Sequence, residues 1–256
     1  MFTSGVPAVV PFLTAGFPNR RVFIDSVRAA VDVGASAVEI GMPFSDPLAD
    51  GPAIQHSSQT ALDNGVTMAD VFDLTAALRA KIGVPIFLMG YLNPLLKMGM
   101  QKFAHAAAAS GADGTIIPDC PIDEARDWTV ASKEAGLDNI FLVAPTSPDE
   151  RVRRIDRMSS SFSYCVSVAG VTGARRDVSP STIAYLRRVR RLAKKPYVVG
   201  FGISSPVHVR ALSGLADGYA VGSALVPLLE GGSRAAAAGR IARLIGALVR
   251  GAKDLK

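Results

Sequence analysis

Cysteine, histidine and tryptophan are scarce in this chain, with two, three and one among 256 residues. Cys120 and Cys165 lie far apart and match no redox or metal spacing; they read as small core or near-core residues. His56, His105 and His208 are scattered, so nothing suggests zinc and the chain is expected to need no metal. No apolar run reaches the roughly 18 residues a membrane helix requires. The N-terminus has no basic segment leading into an apolar one, so no signal peptide is expected. The reading is a cytoplasmic protein without a membrane span. No Gly-x-Gly-x-x-Gly follows the first apolar run, which argues against a dinucleotide fold. Linkers, low-complexity tracts and a second domain are also missing from the pattern. Acidic residues are the minority, 22 against 28 Lys and Arg, a net charge of +6. The excess sits in Arg151, Arg153, Arg154 and Arg157, and in Arg187, Arg188, Arg190, Arg191, Lys194 and Lys195. No aromatic residues interleave with them as they do on nucleic-acid surfaces. Solvated outer helix faces are the better account, with a field that favours an anionic substrate.

What the chain does contain is hydrophobic residues, at 49%, arranged in a repeat. Short apolar runs occur at residues 8–13, 37–41, 85–89, 114–118, 139–144, 163–168, 196–202 and 217–222. Amphipathic segments separate them. Phe23, Val27, Ala30 and Val31 recur at helical spacing, with Gly34 at a C′ position. Residues 68–81 carry the stripe Val71, Leu74 and Leu78, ending at Gly83. Residues 103–110 end at Gly111, and 122–135 at Gly136. Residues 180–193, 206–215 and 235–248 read as three more helices. Eight strand-then-helix units in about 250 residues predict an α/β fold with a parallel sheet closed into a (β/α)8 TIM barrel. One domain is expected to span residues 1–256.

The most informative stretch is AVEIGMPFSDPLADGPAIQ, residues 37–55. In a strand, Val38 and Ile40 share one face while Ala37, Glu39 and Gly41 share the other. If the first pair packs outward on helices, Glu39 points inward between two very small residues. A buried, ionised, unpaired carboxylate is too costly to persist. Glu39 is therefore either paired with a buried Lys or Arg, or is a general acid/base whose pKa burial has raised. The loop that follows, stiffened by Pro43, Pro47 and Pro52, carries a second carboxylate, Asp50, back toward the strand end.

Barrel chemistry sits in the loops at the C-terminal ends of the strands. After the sixth run comes AGVTGARRDVSP, residues 169–180, long enough to close over a ligand, or else an ordinary connection. After the seventh and eighth runs come GFGIS and VGSAL. Barrels commonly hold phosphate there with backbone N–H groups and a helix N-terminus. Gly202 and Gly222 permit close approach of an anion, and Ser223 adds a hydroxyl. The site thus has a phosphate end and an acid/base end.

With these residues assembled, the chain resembles the tryptophan synthase α chain family over nearly its whole length. The matching segments are VPFLTAGFP (residues 10–18), EIGMPFSDPLADGPAIQ (39–55), LMGYLNP (88–94), PDCPIDE (118–124), VAPTSP (143–148), SVAGVTGAR (167–175), GFGIS and VGSAL. The resemblance implies a lyase that cleaves indole-3-glycerol phosphate to indole and D-glyceraldehyde 3-phosphate in tryptophan biosynthesis. It implies no cofactor in this chain, and a pyridoxal phosphate-dependent β chain as partner in an α2β2 complex. The family's two essential carboxylates fall on Glu39, as proton shuttle, and on Asp50, as acceptor for the indole N–H. Tyr164 matches the family's tyrosine near the catalytic Glu. Phe12 and Phe201 match the aromatic walls of the indole pocket. Gly173, Gly202, Gly222 and Ser223 match the phosphate cradle, and Thr172 the lid residue that closes near Asp50.

The sequence departs from the family in two places. Members usually carry a helix ahead of the first strand, whereas only a few residues precede Ala8 here, which bears on packing at the bottom of the barrel. Gly90 and Leu92 stand where Thr and Tyr are common, on a surface expected near the β chain. Three other readings compete: a stand-alone indole-3-glycerol phosphate lyase, a non-catalytic barrel kept as an allosteric partner, and a phosphate-binding barrel isomerase. The presence of both carboxylates argues against the second, and the 39–55 motif against the third.

Overall fold

The computed structural model describes residues 1–2, 5–166, 178–200 and 202–254. Its strands are β1 (Ala8–Thr14), β2 (Val38–Gly41), β3 (Ile86–Met89), β4 (Gly114–Ile116), β5 (Asp138–Ile140), β6 (Leu142–Val143), β7 (Ser163–Val166), β8 (Tyr197–Gly200) and β9 (Gly218–Val221). Every pairing is parallel, in the order β5-β4-β3-β2-β1-β9-β8-β7-β6. The two ends of that order, β5 and β6, are consecutive in the chain and separated only by Phe141. The Phe141 carbonyl accepts a hydrogen bond from Tyr164 N at 3.0 Å. One strand, broken at Phe141, therefore pairs with β4 through its first half and with β7 through its second. This closes the ring into the eight-unit TIM barrel expected from the eight runs.

Side-chain alternation splits the apolar residues into two sets. Val9, Leu13, Val38, Ile40, Ile86, Leu88, Val199 and Val221 face outward and pack with the helices. Ala8, Val10, Ala37, Phe87, Met89, Ile116, Ile140, Tyr164, Val198 and Ala220 fill the barrel. A parallel sheet covered on both faces needs such strands, apolar on both sides. At the barrel floor Phe2 packs edge-on against Phe162, with ring centroids 5.6 Å apart, and Phe162 packs on Phe87 at 5.2 Å.

The helices are α1 (Arg20–Asp32), α2 (Pro52–Asp63), α3 (Met68–Arg79), α4 (Leu92–Met98), α5 (Met100–Ala109), α6 (Arg126–Glu134), α7 (Asp149–Met158), α8 (Pro180–Leu192), α9 (Pro206–Ala211), α10 (Val226–Leu229) and α11 (Arg234–Lys253). α1 begins where the Asn19 side chain accepts from Val22 N, and ends before Gly34 at φ +103°; this left-handed residue is the expected C′ glycine. α3 starts on a reciprocal Thr67/Asp70 capping box. It stops at Arg79, and Gly83 is not its terminator. The helix expected over 122–135 forms only as α6, because the chain from Pro121 turns first, with Glu124 N donating to Pro121 O. Pro52, read as a loop stiffener, instead occupies the first turn of α2, where its missing N–H costs nothing. The buried side of α2 is Ser57, Ser58 and Ala61, too polar to show as an apolar stripe.

The basic clusters lie on α7 and α8 and are partly neutralised. Arg151 and Arg154 pair with Asp123, Arg188 with Asp149 and Arg190 with Asp217. Such exposed pairs contribute little to stability, because solvent screens them. Both cysteines are buried. Among the described residues no helix is long and apolar enough to cross a membrane.

Candidate active site

Glu39 lies in β2 between Phe12 of β1 and Phe87 of β3 in the register of the sheet. It points into the barrel and is 1% exposed. Among the described residues neither of its carboxylate oxygens has a hydrogen-bond partner. The buried Lys or Arg of the first reading is therefore not found there. Burial alone raises its pKa to about 8, because the ion has left water without a compensating charge. Glu39 is held as a neutral acid at neutral pH.

Asp50 lies in the loop between β2 and α2. Its carboxylate Oδ2 accepts a hydrogen bond from the Tyr91 hydroxyl at 2.9 Å, and that hydroxyl accepts from Ala49 N at 2.9 Å. The Tyr91 ring stacks on Phe44, with centroids 5.3 Å apart. Burial raises the Asp50 pKa, and the Tyr91 hydrogen bond acts in the opposite sense. Tyr91 is pushed well above its ordinary range by burial and then by the Asp50 charge, so its hydroxyl stays a donor. The two carboxylates therefore sit in different settings. Among the described residues Glu39 has no donor, whereas Asp50 has one that favours its ionised form.

A cleft opens at the C-terminal ends of the first four strands, lined by Phe12, Gly41, Asp50, Met89, Tyr91 and Pro118 among others. Gly41 lies two residues beyond Glu39 on the same strand face, so Glu39 sits about 6–7 Å deeper. The Phe12 ring fills the space above Gly41, and a Cβ on Gly222 would come within 3.3 Å of Phe12 Cβ. Gly90 has a local reason too, since a Cβ there would lie 2.8 Å from Met42 Cε.

Tyr164 points into the barrel from β7 and is 3% exposed. Burial holds it protonated, and the charge Glu39 carries once ionised, and then that of Asp50, act in the same sense. Tyr164 therefore lies within electrostatic reach of both carboxyl groups. Gly200 on β8 leaves room for the Tyr164 ring, whose hydroxyl would overlap any Cβ at that position. Gly202 follows β8 with φ +87°, a left-handed conformation suited to glycine. Gly222 and the exposed Ser223 follow β9, where the Gly222 carbonyl accepts from Leu225 N at 2.7 Å. Thr172, Gly173 and Phe201 lie outside the described residues.

Sequence reasoning singled out the two carboxylates but missed three supports around them. The Tyr91 hydroxyl was visible only as part of LMGYLNP, and nothing in that string links it to Asp50, 41 positions away. Ser58 binds the Asp50 loop at Phe44, and nothing in the sequence singled it out. Gly200 is the first glycine of GFG; its role depends on a ring from the neighbouring strand.

Residues 3–248 match the family model described as tryptophan synthase alpha chain. The tryptophan synthase alpha chain of Roseiflexus castenholzii is 49% identical over 228 residues, covering 89% of this chain and 87% of the relative. That of Chloroflexus aurantiacus is 46% identical over 228 residues, covering 89% and 86%. Among solved structures, a mutant tryptophan synthase alpha-subunit from Pyrococcus furiosus superposes with a TM-score of 0.88 at 36% identity, covering 96% of this chain and 99% of that one. A structure of Mycobacterium tuberculosis tryptophan synthase superposes at 0.87 with 37% identity, covering 96% and 92%. A closed barrel with an inward Glu39 and a tethered Asp50, matched over most of its length by such relatives, leaves one assignment: the chain belongs to the tryptophan synthase alpha chain family.

Proposed function

We propose that Glu39 and Asp50 divide the proton demands of one retro-aldol cleavage, Glu39 starting as the neutral acid and Asp50 as the ion. Family membership makes the chain a carbon–carbon lyase. It is the alpha subunit of tryptophan synthase, cleaves indole-3-glycerol phosphate to indole and D-glyceraldehyde 3-phosphate, and has a β chain as partner. In the proposed sequence Glu39 gives its proton to carbon 3 of the indole. Positive charge then develops at the ring nitrogen, whose N–H donates to the Asp50 carboxylate. The carboxylate left on Glu39 takes the proton of the side-chain hydroxyl. The carbon–carbon bond breaks, its electron pair returns to the ring, and the hydroxyl oxygen becomes the aldehyde oxygen. Glu39 ends protonated, as it began. Positioned groups of this kind contribute about 10²–10⁴ each in rate.

The observation that carries this reading is the contrast between the two carboxylates: Glu39 buried with no donor among the described residues, Asp50 held by Tyr91. Burial raises both groups, but only Asp50 has a donor that opposes the rise, and two carboxyls in unlike surroundings can supply an acid and a base at one pH. Tyr164 borders Glu39 as the third catalytic group. Phe12 and Phe201 wall the indole ring, and Gly173, Gly202, Gly222 and Ser223 cradle the phosphate. Thr172 closes over Asp50 when substrate binds. The β chain meets the same rim in an α2β2 assembly, a contact that suits the exposed apolar side chains of Leu48 and Leu96. We place the enzyme in the cytoplasm, as a single barrel domain, in keeping with a biosynthetic family.

The test is indole release from indole-3-glycerol phosphate, with and without a cognate β chain. Glu39→Gln and Asp50→Asn keep shape and lose only protolytic capacity. Each is expected to lose most turnover in both assays while binding glycerol phosphate as the unaltered chain does. Near-normal turnover in either variant rejects that residue's role.

A further inference from the structure

Ser58 lies on α2 and is 4% exposed. Its hydroxyl accepts from Phe44 N at 2.8 Å and donates to Phe44 O at 3.0 Å. One side chain thus satisfies both backbone polar groups of a loop residue fourteen positions away. The Phe44 ring stacks on Tyr91, and the Tyr91 hydroxyl holds both Ala49 N and Asp50 Oδ2. α2 is itself fixed to β1 by the buried contact between Thr14 Oγ1 and Ser57 Oγ at 2.7 Å. A continuous path therefore runs from the barrel wall through α2 and Phe44 to the Asp50 carboxylate.

We propose that Ser58 is a positioning residue for Asp50, acting through the Phe44 backbone and the Phe44–Tyr91 stack. The inference rests on the role given to Asp50 above. Between Gly41 and Pro52 the chain has neither strand nor helix, so loop polar groups must find partners elsewhere. Ser58 supplies both for Phe44. Its single hydroxyl proton is already committed to the Phe44 carbonyl, so it has none to offer a substrate. Without the hydroxyl, the Phe44 N–H and C=O reach water only if the backbone moves outward. The ring then leaves Tyr91, and the Tyr91 hydroxyl loses the surface that aims it at Asp50. A misplacement of about 1 Å in a catalytic group costs up to about 10²-fold in rate.

The experiment uses the full chain with saturating β chain. Ser58→Ala does not weaken α2 through propensity, because alanine is the better helix former. It is expected to lower kcat by about 10- to 100-fold with glycerol phosphate affinity unchanged. Phe44→Leu keeps the backbone tether, removes the stack and leaves α2 untouched; the same loss is expected there. Each is combined with Tyr91→Phe. Residues on one path are non-additive, so each double variant should be no worse than about twofold below its weaker single. A purely structural role would not produce that coupling. Asp50→Asn is assayed alongside. If it turns over normally, the Asp50 role fails and this inference fails with it. If it is inactive while Ser58→Ala and Phe44→Leu keep normal kcat, or their losses multiply with that of Tyr91→Phe, the inference alone is overturned.

Discussion

The ring of Phe12 occupies the space that a side chain on Gly41 would need: a Cβ there would come within 2.9 Å of Phe12 Cε2. Phe12 is also the residue opposite Glu39 in the β1–β2 register. The glycine therefore sets where the cleft wall stands above the buried acid. Gly41→Ala should push the ring into the cleft, lower kcat/KM for indole-3-glycerol phosphate by about tenfold or more, and destabilise the fold by about 1–3 kcal/mol through overpacking. Steady-state kinetics and a denaturant titration check both.

Burial of Glu39 should be visible in stability. Its pKa is about 8 in the folded chain, against 4.5 as the ordinary value. Between those values the native state binds more protons than the unfolded one, so stability falls as pH rises through that window and levels off above it. Glu39→Gln removes the penalty. Its stability relative to the unaltered chain should improve from pH 5 to pH 8 by a few kcal/mol, on the order expected for a shift of this size. Urea titrations at the two pH values measure it; an advantage independent of pH would contradict the assignment.

The same contrast predicts a bell-shaped pH dependence of kcat/KM. The alkaline limb should fall near pH 8, where Glu39 loses its proton. The acid limb belongs to Asp50, whose pKa is raised by burial and lowered by Tyr91. Tyr91→Phe removes only the lowering influence, so its acid limb should move to higher pH while the alkaline limb stays in place. A shift of both limbs, or of neither, would show that Tyr91 does not act on Asp50.

At the phosphate end, Ser223→Asp places a negative charge where the substrate's own anion is expected. Glycerol phosphate binding should weaken by about tenfold or more, from like-charge repulsion at short range. Cys165→Ala, at a buried position on the helix side of β7, should affect packing at most. Equal glycerol phosphate affinity in the Ser223→Asp protein, read by calorimetry, would mean that the cradle lies elsewhere.

Much of this was legible in the linear chain because it follows from local rules. A strand turns successive side chains to opposite faces, so Val38 and Ile40 pointing out required Glu39 to point in. Eight runs with helical segments between them were enough for a closed barrel. Boundaries were less legible where backbone hydrogen bonding had the last word. The fifth run breaks at Phe141, α6 starts four residues late behind Pro121, and α2 hides its buried face among serines.

What the sequence by itself determined is the inward carboxylate, the loop that carries the second one, and the glycine-rich ends of the last two strands. Tertiary structure alone decided what surrounds them. Whether Glu39 was an ion paired with a cation or a neutral acid depended on what the other strands bring into the barrel. They bring apolar side chains and Tyr164. The grip on Asp50 comes from Tyr91, 41 residues away, and indirectly from Ser58 through Phe44. Electrostatic energy depends on distance in space and on the water displaced, and neither quantity can be read from separation along the chain.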